Sequence, residues 1–351
     1  MNSSISQSQC KSMEFLNKEQ KLIAKFKSLV GSSGRFIGDD CALLPGKMLV
    51  TTDTLVELIH FDIDWTDFID LGWKAMAVNL SDIAAMAGRP KYALIVLSAP
   101  ENLYESEKII SLYEGLNSCA QQYKTAIVGG DITRGTQLAI TITIIGETHE
   151  AGVLMRSTAQ AGDIVAVTGD FGASAAGLRI LQNNPKAAKR GDLIVSFPAS
   201  TDLQYGYCLQ QFLRPQPKLE ESWSLVEQIG SRGALMDSSD GLADALLQIA
   251  QSSHVGMHID LNSIPIHDQT RHFAESININ PIELALYGGE DYQLVACLPK
   301  DKWLAWQQES PIVANAFKAI GTVNESPDVQ LMFGNEIAYK LDPQRIFQHI
   351  S

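Results

Sequence analysis

The sequence has little positive charge and no closely spaced pair of cysteines. Lys and Arg number 27 against 40 Asp and Glu, which gives a formal net charge of -13 at pH 7. Nucleic acids and anionic membranes are bound through basic patches, so this balance argues against either as the main partner. Five cysteines are scattered through the chain, at positions 10, 41, 119, 208 and 297. Their odd number and wide spacing predict free thiols in a reducing compartment rather than a disulfide framework.

Long apolar runs are also absent. No stretch approaches the roughly 20 residues that span a membrane, and the N-terminus MNSSISQSQCKSMEF lacks the apolar core of a signal or transit peptide. We therefore expect a cytoplasmic protein with a short flexible leader. The composition is otherwise that of a globular protein, with 45% hydrophobic and 19% charged residues. A chain of 351 residues favours two domains, which we place at 1–150 and 151–351.

Helical and extended patterns alternate along both halves, which predicts a mixed α/β chain. In the first half we expect helices over 14–30, 76–88 and 101–123, and strands over 48–56, 92–98, 125–128 and 138–147. In the second half we expect strands over 164–168, 234–237 and 292–298, and helices over 173–181, 222–229 and 242–252.

The alanine-rich run over 76–88 holds one charged residue, Asp82. Apolar and small residues occupy nearly every side of the predicted helix, so this carboxylate is expected to be buried and to need a cation or a basic partner. Asn79 lies one turn earlier on the same side, where its amide and the carboxylate would address a single point. A structural ion pair is the simpler interpretation for one isolated Asp, but further acidic residues share this context.

Several carboxylates stand where an apolar strand meets a glycine or small-residue turn. Because the carboxyl ends of strands are where ligand sites form in α/β sheets, we expect these groups to converge around cations. Hard oxygen ligands without nearby His or Cys favour Mg²⁺ and, through it, nucleotide phosphates. The residues are Asp39, Asp40, Asp53, Asp82, Asp131, Asp237, Asp240, Glu290 and Asp291.

The common phosphate-binding loops are missing. The chain has no GxxxxGK[ST] loop and no protein-kinase glycine loop with its catalytic partner, so the usual ATP-binding folds fit poorly. Backbone amides of Gly129-Gly130 and of Gly169 to Gly172 remain candidates to cradle phosphates. His254 and His258 have metal-pair spacing, but they lack an acidic partner and a glycine interrupts any helix, so zinc is not expected.

Seven segments carry a resemblance to a known family. They are GDDCALL (38–44), TTDTLVELIHF (51–61), KAMAVNLSDIAAMAGRP (74–90), GGDITRG (129–135), VTGDFGASAAGL (167–178), DSSDGLADAL (237–246) and GGEDYQL (288–294). In this order they resemble the thiamine-monophosphate kinase family, a branch of the superfamily that also holds aminoimidazole ribonucleotide synthetase and selenophosphate synthetase. The resemblance covers nearly the whole chain, and NLSDIAAMAG, HF and GGEDY are specific to the kinase branch.

The resemblance implies a homodimer that pairs its N-terminal sheets, a larger α/β C-terminal domain, and ATP bound between the domains. It also implies that ATP phosphorylates thiamine monophosphate with the help of several Mg²⁺ ions. The implied metal ligands are Asp40, Asp53, Asp82, Asp131, Asp237 and Asp240, with Thr51 or Thr52 helping. The implied nucleotide contacts are Gly130, Asp131, Arg156, Ser239 and Tyr113, and the implied substrate contacts are His60 and Glu290.

The resemblance gives Asp82, Asp131, Asp240 and Arg156 the chemical roles. The carboxylates would recruit cations, and Arg156 would stabilise charge on the transferring phosphoryl group. Seen without the resemblance, His60 is an ordinary packed histidine and Arg156 a solvated linker residue. The tail departs from the family, whose members carry a Gly-aromatic-Asp-His-Phe segment. Here Phe347 takes the place of the aromatic residue that stacks on thiamine.

Three other functions stay open on the sequence. An aminoimidazole ribonucleotide synthetase would keep the fold and change the acceptor of the phosphoryl group. A selenophosphate synthetase would need a reactive Cys near its N-terminus, and Cys10 lacks the matching glycine-rich context. A catalytically silent dimer would bind Mg²⁺ and ATP without turnover.

Overall fold

The structure is a computed structural model. It describes residues 18–183, 204–310, 315–334 and 336–346. The first residues of the predicted N-terminal helix, Cys10 and Phe347 lie outside the described residues. The helix itself, α1, runs over Lys18–Leu29 and buries none of its residues, although its apolar stripe predicts packing.

The first half of the chain forms a five-stranded sheet with helices on one face. Its strand order is β1-β2-β5-β3-β4, antiparallel except for the β3–β4 pair. The strands are β1 Ala42–Leu44, β2 Met48–Val56, β3 Gly88–Ala99, β4 Ala126–Arg134 and β5 Ala139–Thr148. The helices are α2 Phe68–Ala85, α3 Glu101–Tyr104 and α4 Glu107–Gln122.

Helix α2 is the central element of this half. It starts at Asp67, whose carboxylate accepts from the Ile69 amide at 2.8 Å. Of its 18 residues, 15 are buried, which confirms the burial expected from the alanine-rich run. It crosses α4 closely, since a Cβ on Gly72 would lie 2.0 Å from the Leu112 carbonyl oxygen. Only glycine permits that approach.

Several predicted boundaries are wrong. The helix expected over 76–88 begins at Phe68, and Gly88 opens β3 instead of ending the helix. The helix expected over 101–123 is two helices separated at 105–106. The strand expected to end at Val128 continues through the glycines to Arg134, because a register shift in its pairing with β3 absorbs the irregularity.

The second half forms a seven-stranded mixed sheet in the order β12-β11-β8-β10-β6-β9-β7. Its strands are β6 Ile164–Thr168, β7 Ala234–Asp237, β8 Gly256–Asp260, β9 Leu294–Leu298, β10 Phe317–Asn324, β11 Val329–Phe333 and β12 Glu336–Lys340. Its helices are α5 Ala173–Asn183, α6 Gly206–Leu213, α7 Leu219–Ile229, α8 Leu242–Ser253, α9 Asp268–Ser276, α10 Pro281–Tyr287 and α11 Lys300–Glu309.

The two halves share one apolar core. Helix α2 packs against β7, and a single cluster of buried residues runs from α2 and the first sheet to Leu225 and Trp306 of the second half. Two tryptophan indoles join the halves: Trp73 donates to the Pro215 carbonyl at 2.9 Å and Trp223 to the Gly88 carbonyl at 2.7 Å. The site described next lies along this junction.

The described cysteines, at positions 41, 119, 208 and 297, are buried and unpaired, which agrees with the expected free thiols. Among the described residues, none of the helices has both the length and the hydropathy to cross a bilayer.

Candidate active site

Three carboxylates from separate parts of the chain meet at the junction of the halves. Asp40 lies in the turn before β1, Asp82 on α2 and Asp237 at the end of β7. One oxygen atom from each lies within 4.8 Å of the others. Because α2 packs on β7, residues more than 150 positions apart in sequence come together here. We call these three residues the carboxylate cluster.

Short hydrogen bonds hold each carboxylate. The Thr51 hydroxyl donates to Asp82 Oδ2 at 2.5 Å, and the Ser81 hydroxyl donates to Asp237 Oδ2 at 2.5 Å. Asp40 Oδ1 accepts from Arg156 Nη2 at 2.7 Å. The second oxygen, Asp40 Oδ2, is buried and has no hydrogen-bond partner within the described residues. A buried carboxylate oxygen left in this state favours a cation beside it.

Burial and mutual repulsion make ionisation of the cluster unfavourable. The pKa of Asp82 is raised well above its usual range by burial, then by the charges of Asp53 and Asp237. The pKa of Asp237 is likewise raised well above its usual range, by burial and then by Asp40. Burial also raises the pKa of Asp40, against the opposing charge of Arg156. A bound cation would remove this cost.

Strand β2 presents alternate residues to the cluster. Thr51 bonds to Asp82, and the Asp53 amide donates to Asn79 Oδ1 at 2.9 Å. Asn79 and Asp82 therefore contact two different residues of β2. The expectation that both side chains address a single point is wrong. Thr52 points to the opposite face, where its hydroxyl donates to the Ile142 carbonyl at 3.0 Å. The Thr52 hydroxyl is therefore not part of the carboxylate cluster, because successive side chains of a strand alternate between faces.

A pocket of about 810 Å³ opens beside Asp82. Its wall includes Asp53, Asp82, Ser239, Asp240 and Glu290, which with His60 makes six predicted site residues in one cavity. Burial raises the pKa of Asp240 to about 7, with the charge of Asp244 as the next cause. Apolar and aromatic side chains, among them Trp65 and Tyr287, complete the wall.

His60 also lines this pocket. Its Nδ1 accepts a hydrogen bond from the Val56 amide at 3.0 Å, which fixes the ring against the end of β2. In the neutral ring the proton then sits on Nε2, which becomes a hydrogen-bond donor.

Other predicted residues lie apart from the pocket wall. Arg156 is nearly buried, and its guanidinium contacts Asp39, Asp40 and Gln248. Asp131 is exposed on the edge strand β4, paired with Val96, whose side chain lies on the sheet face opposite α2. Tyr113 is 41% exposed on α4.

In the two glycine segments expected to cradle phosphates, part of the backbone already has other contacts. Gly130 lies within β4, where a Cβ would fall 1.7 Å from the Ile95 carbonyl oxygen, so the glycine serves the strand pairing. In the second segment the Phe171 amide donates to the Pro265 carbonyl at 2.9 Å, and the Gly172 amide donates to Asp291 Oδ2 at 2.7 Å. Both amides are thus already engaged.

Sequence reasoning missed Lys74, Trp65 and Tyr287. Lys74 stands two residues before the predicted helix, and its spacing to Val78 and Asp82 is four and eight residues. That spacing places Lys74 on the same side of the helix as Asp82, and it could have identified Lys74 as a residue near the site. Trp65 and Tyr287 had no signal, since an aromatic residue near a loop is as readily part of the core.

Comparison with known proteins identifies the family. Models of AIR synthase related proteins match residues 38–148 (N-terminal domain) and 160–334 (C-terminal domain). The thiamine-monophosphate kinase of Bacillus subtilis is 37% identical over 82% of this chain and 85% of its own length. That of Synechococcus elongatus is 34% identical over 95% of this chain and 96% of its own.

The solved structures agree. A structure described as AaThiL complexed with AMPPCP and TMP has a TM-score of 0.77 at 29% identity, and the match covers 97% of this chain and 99% of that one. The thiamine monophosphate kinase of Aquifex aeolicus has a TM-score of 0.74 at 31% identity, over 91% and 96% of the two chains. The chain therefore has the two mixed α/β domains of AIR synthase related proteins and belongs to the thiamine-monophosphate kinase family of enzymes.

Proposed function

We propose that the protein uses ATP to phosphorylate thiamine monophosphate to thiamine diphosphate, by direct in-line transfer with several Mg²⁺ ions bound. The carboxylate cluster at the edge of the pocket carries this proposal. The names of the relatives and the AMPPCP and TMP in the structural neighbour support the choice of substrates. They favour the kinase over the aminoimidazole ribonucleotide synthetase alternative.

The donor set fits Mg²⁺. The cluster offers carboxylate oxygens, one of them buried without a partner, and Mg²⁺ prefers oxygen ligands. Burial keeps the neighbouring Cys41 thiol protonated by raising its pKa, so a soft thiolate ligand is not offered. We assign the ions to Asp40, Asp82 and Asp237, with Asp53 and Asp240 on the pocket side. Bound there, Mg²⁺ would neutralise phosphate charge on ATP and acceptor.

The chain's own residues position the acceptor. Its phosphate is already mostly dianionic at pH 7, with a second pKa of about 6, so no general base is required. His60 can donate from Nε2 to the substrate, and Glu290 offers a carboxylate to the cationic thiazolium ring. Ser239 lies where the chain enters α8, whose N-terminus favours anions. Catalysis then consists of alignment and charge neutralisation.

The remaining site assignments rest on the resemblance. Arg156 can stabilise the transferring phosphoryl group only if its contacts with Asp39 and Asp40 open. Contacts of Gly130, Asp131 and Tyr113 with the nucleotide, and stacking of Phe347 on thiamine, are proposed on the family pattern alone.

We also propose a homodimer formed through the sheet face opposite α2, which no helix of the described residues covers and which we call the open face. Thr52, Tyr92, Val96 and Thr141 lie on it, and Tyr92 is 50% exposed. Exposed apolar residues on a sheet face indicate an interface, and the resemblance implies that a second copy of the same sheet buries them.

The direct test is ADP release with ATP, Mg²⁺ and thiamine monophosphate, compared with thiamine and with formylglycinamidine ribonucleotide as acceptors. We expect turnover with thiamine monophosphate only, loss of turnover with a chelator, and thiamine diphosphate as product. Turnover with the ribonucleotide alone would replace the proposal with the synthetase function.

Stereochemistry tests the in-line step. With ATP made chiral at its γ-phosphorus, a single direct transfer inverts the configuration in the product. Retention would indicate two transfers through a phosphorylated residue and would overturn the direct mechanism.

A further inference from the structure

Lys74 is a buried lysine on the side of α2 that faces the pocket. It stands four residues before Val78 and eight before Asp82, so the three side chains leave the helix in the same direction. Val78 and Asp82 line the pocket. The Lys74 side chain is only 2% exposed, which is rare for a lysine unless a specific partner holds it.

Two contacts hold the ammonium group. Lys74 Nζ lies 2.8 Å from Glu290 Oε1 and 3.6 Å from the centre of the Phe212 ring. Burial lowers the pKa of Lys74, and the charge of Glu290 opposes that change. Glu290 is 23% exposed in its side chain and lines the pocket, so the pair has one buried end and one end at the substrate cavity.

The backbone around Glu290 is strained. Glu290 has a φ of 66° and Tyr292 a φ of 49°, a region that side chains other than glycine seldom adopt. The Glu290 amide donates to the Ser239 carbonyl at 2.6 Å, which ties this segment to the turn before α8. These contacts fix the backbone. They do not fix the carboxylate, which among the described residues is held by Lys74.

We propose that Lys74 is a positioning residue that holds the Glu290 carboxylate in the orientation that binds the thiamine part of the substrate. The inference rests on the proposed function. Because Lys74 acts through Glu290, it contributes to substrate affinity and leaves the phosphoryl transfer to the carboxylate cluster. Preorganisation of a binding group lowers the cost of ordering it on binding.

The test is a double-mutant cycle with Lys74→Met, Glu290→Gln and the double variant. Methionine keeps the side chain as far as Cε and removes its charge. Glu290, left without this partner, has a side chain that is 23% exposed, so water can solvate its carboxylate. Lys340→Met is the matched control, since it removes a lysine charge from an exposed ion pair with Asp328. KM for thiamine monophosphate, KM for ATP, kcat and thermal unfolding are measured for each protein.

We expect Lys74→Met to raise KM for thiamine monophosphate by about tenfold or more, with KM for ATP unchanged. In the Glu290→Gln background the same change should raise KM no further, because the group that Lys74 positions is already lost. An equal rise in both backgrounds, or no rise in either, overturns the inference. If Lys74→Met does not fold, Lys74→Gln takes its place in the cycle. We then expect a smaller rise in KM for thiamine monophosphate.

The two proposals fail differently. A wild-type protein that does not turn over thiamine monophosphate overturns the proposed function, and this inference with it. Turnover by the wild type combined with additive effects of the two substitutions overturns only the role of Lys74.

Discussion

Ionisation of Asp82 is unfavourable in the metal-free protein. Burial raises its pKa well above the usual range, although binding a cation requires the ionised form. The residue therefore trades stability for function.

Asp82→Asn should lower turnover by at least about a hundredfold and raise the unfolding temperature of the chelator-treated protein. Turnover should fall because the proposed metal site loses one ligand. The unfolding temperature should rise because repulsion between carboxylates in the cluster is relieved. Thermal unfolding and ADP release measure both effects, with Asp301→Asn on the surface as the control. Full activity in Asp82→Asn would contradict the assignment of the metal site.

Thr51 and Thr52 form a natural matched pair. The Thr51 hydroxyl bonds to Asp82, whereas the Thr52 hydroxyl faces away and bonds to the Ile142 carbonyl. Thr51→Val should lower turnover by about tenfold at limiting Mg²⁺, because Asp82 loses its partner. Thr52→Val should leave turnover nearly unchanged. Equal effects in Mg²⁺ titrations of the two variants would contradict the prediction that only the Thr51 side chain supports the site.

At the scale of residues, the sequence predicted that carboxylates converge, and Asp40, Asp82 and Asp237 do so. Which threonine hydroxyl meets Asp82 could not be predicted without the orientation of β2. Lys74 escaped notice because its partner, Glu290, is more than 200 residues away in sequence, and no local pattern reports such a pairing.

At the scale of elements, the segment around Glu290 and Asp291 is joined by hydrogen bonds to the start of α5 and to Ser239 in the turn before α8. Asp291 accepts hydrogen bonds from the Gly172 amide at 2.7 Å and the Ser174 amide at 3.1 Å, at the start of α5. Burial raises the pKa of Asp291 to about 7 in spite of these bonds. The segment that carries the pocket residue Glu290 thus contains a titrating group.

Asp291 should make stability fall as the pH rises. In the unfolded chain its pKa is near 4, so between about pH 4 and pH 7 the folded protein binds more protons than the unfolded one. Its contribution is present below pH 4 and is lost progressively up to pH 7, at most about 4 kcal/mol. Asp291→Asn should flatten this part of the profile, measured by denaturant unfolding at several pH values. If stability depends on pH with the same slope in Asp291→Asn, another group is responsible for the titration.

Element types were easier to predict than their ends. The alternation over 138–147 matches β5, and the buried helix matches α2. The ends of α2 and β4 were misplaced because glycine signals the end of an element only locally. Gly88 and Gly129-Gly130 are held in strands by pairing with β5 and β3, which a single sequence does not reveal.

At the scale of the whole molecule, the open face gives a test of the proposed dimer. Val96→Glu places a charge on that face, on the same strand as the half-exposed Tyr92. Sedimentation should then give the mass of one chain, where the wild type gives two, because an unpaired charge at an interface is costly. Leu304→Glu, on exposed α11, is the control. A dimer that survives Val96→Glu would move the interface elsewhere.

The hydrogen bond between Ser81 and Asp237 joins residues 156 positions apart. During synthesis, at about 5–20 residues per second, the ribosome has completed α2 on the order of ten seconds before β7 exists. Until then α2 lacks the strand that covers it, and the carboxylate cluster lacks one of its three members. The carboxylate cluster thus cannot form before β7 has been synthesised, and a truncated chain that ends before residue 234 cannot assemble it.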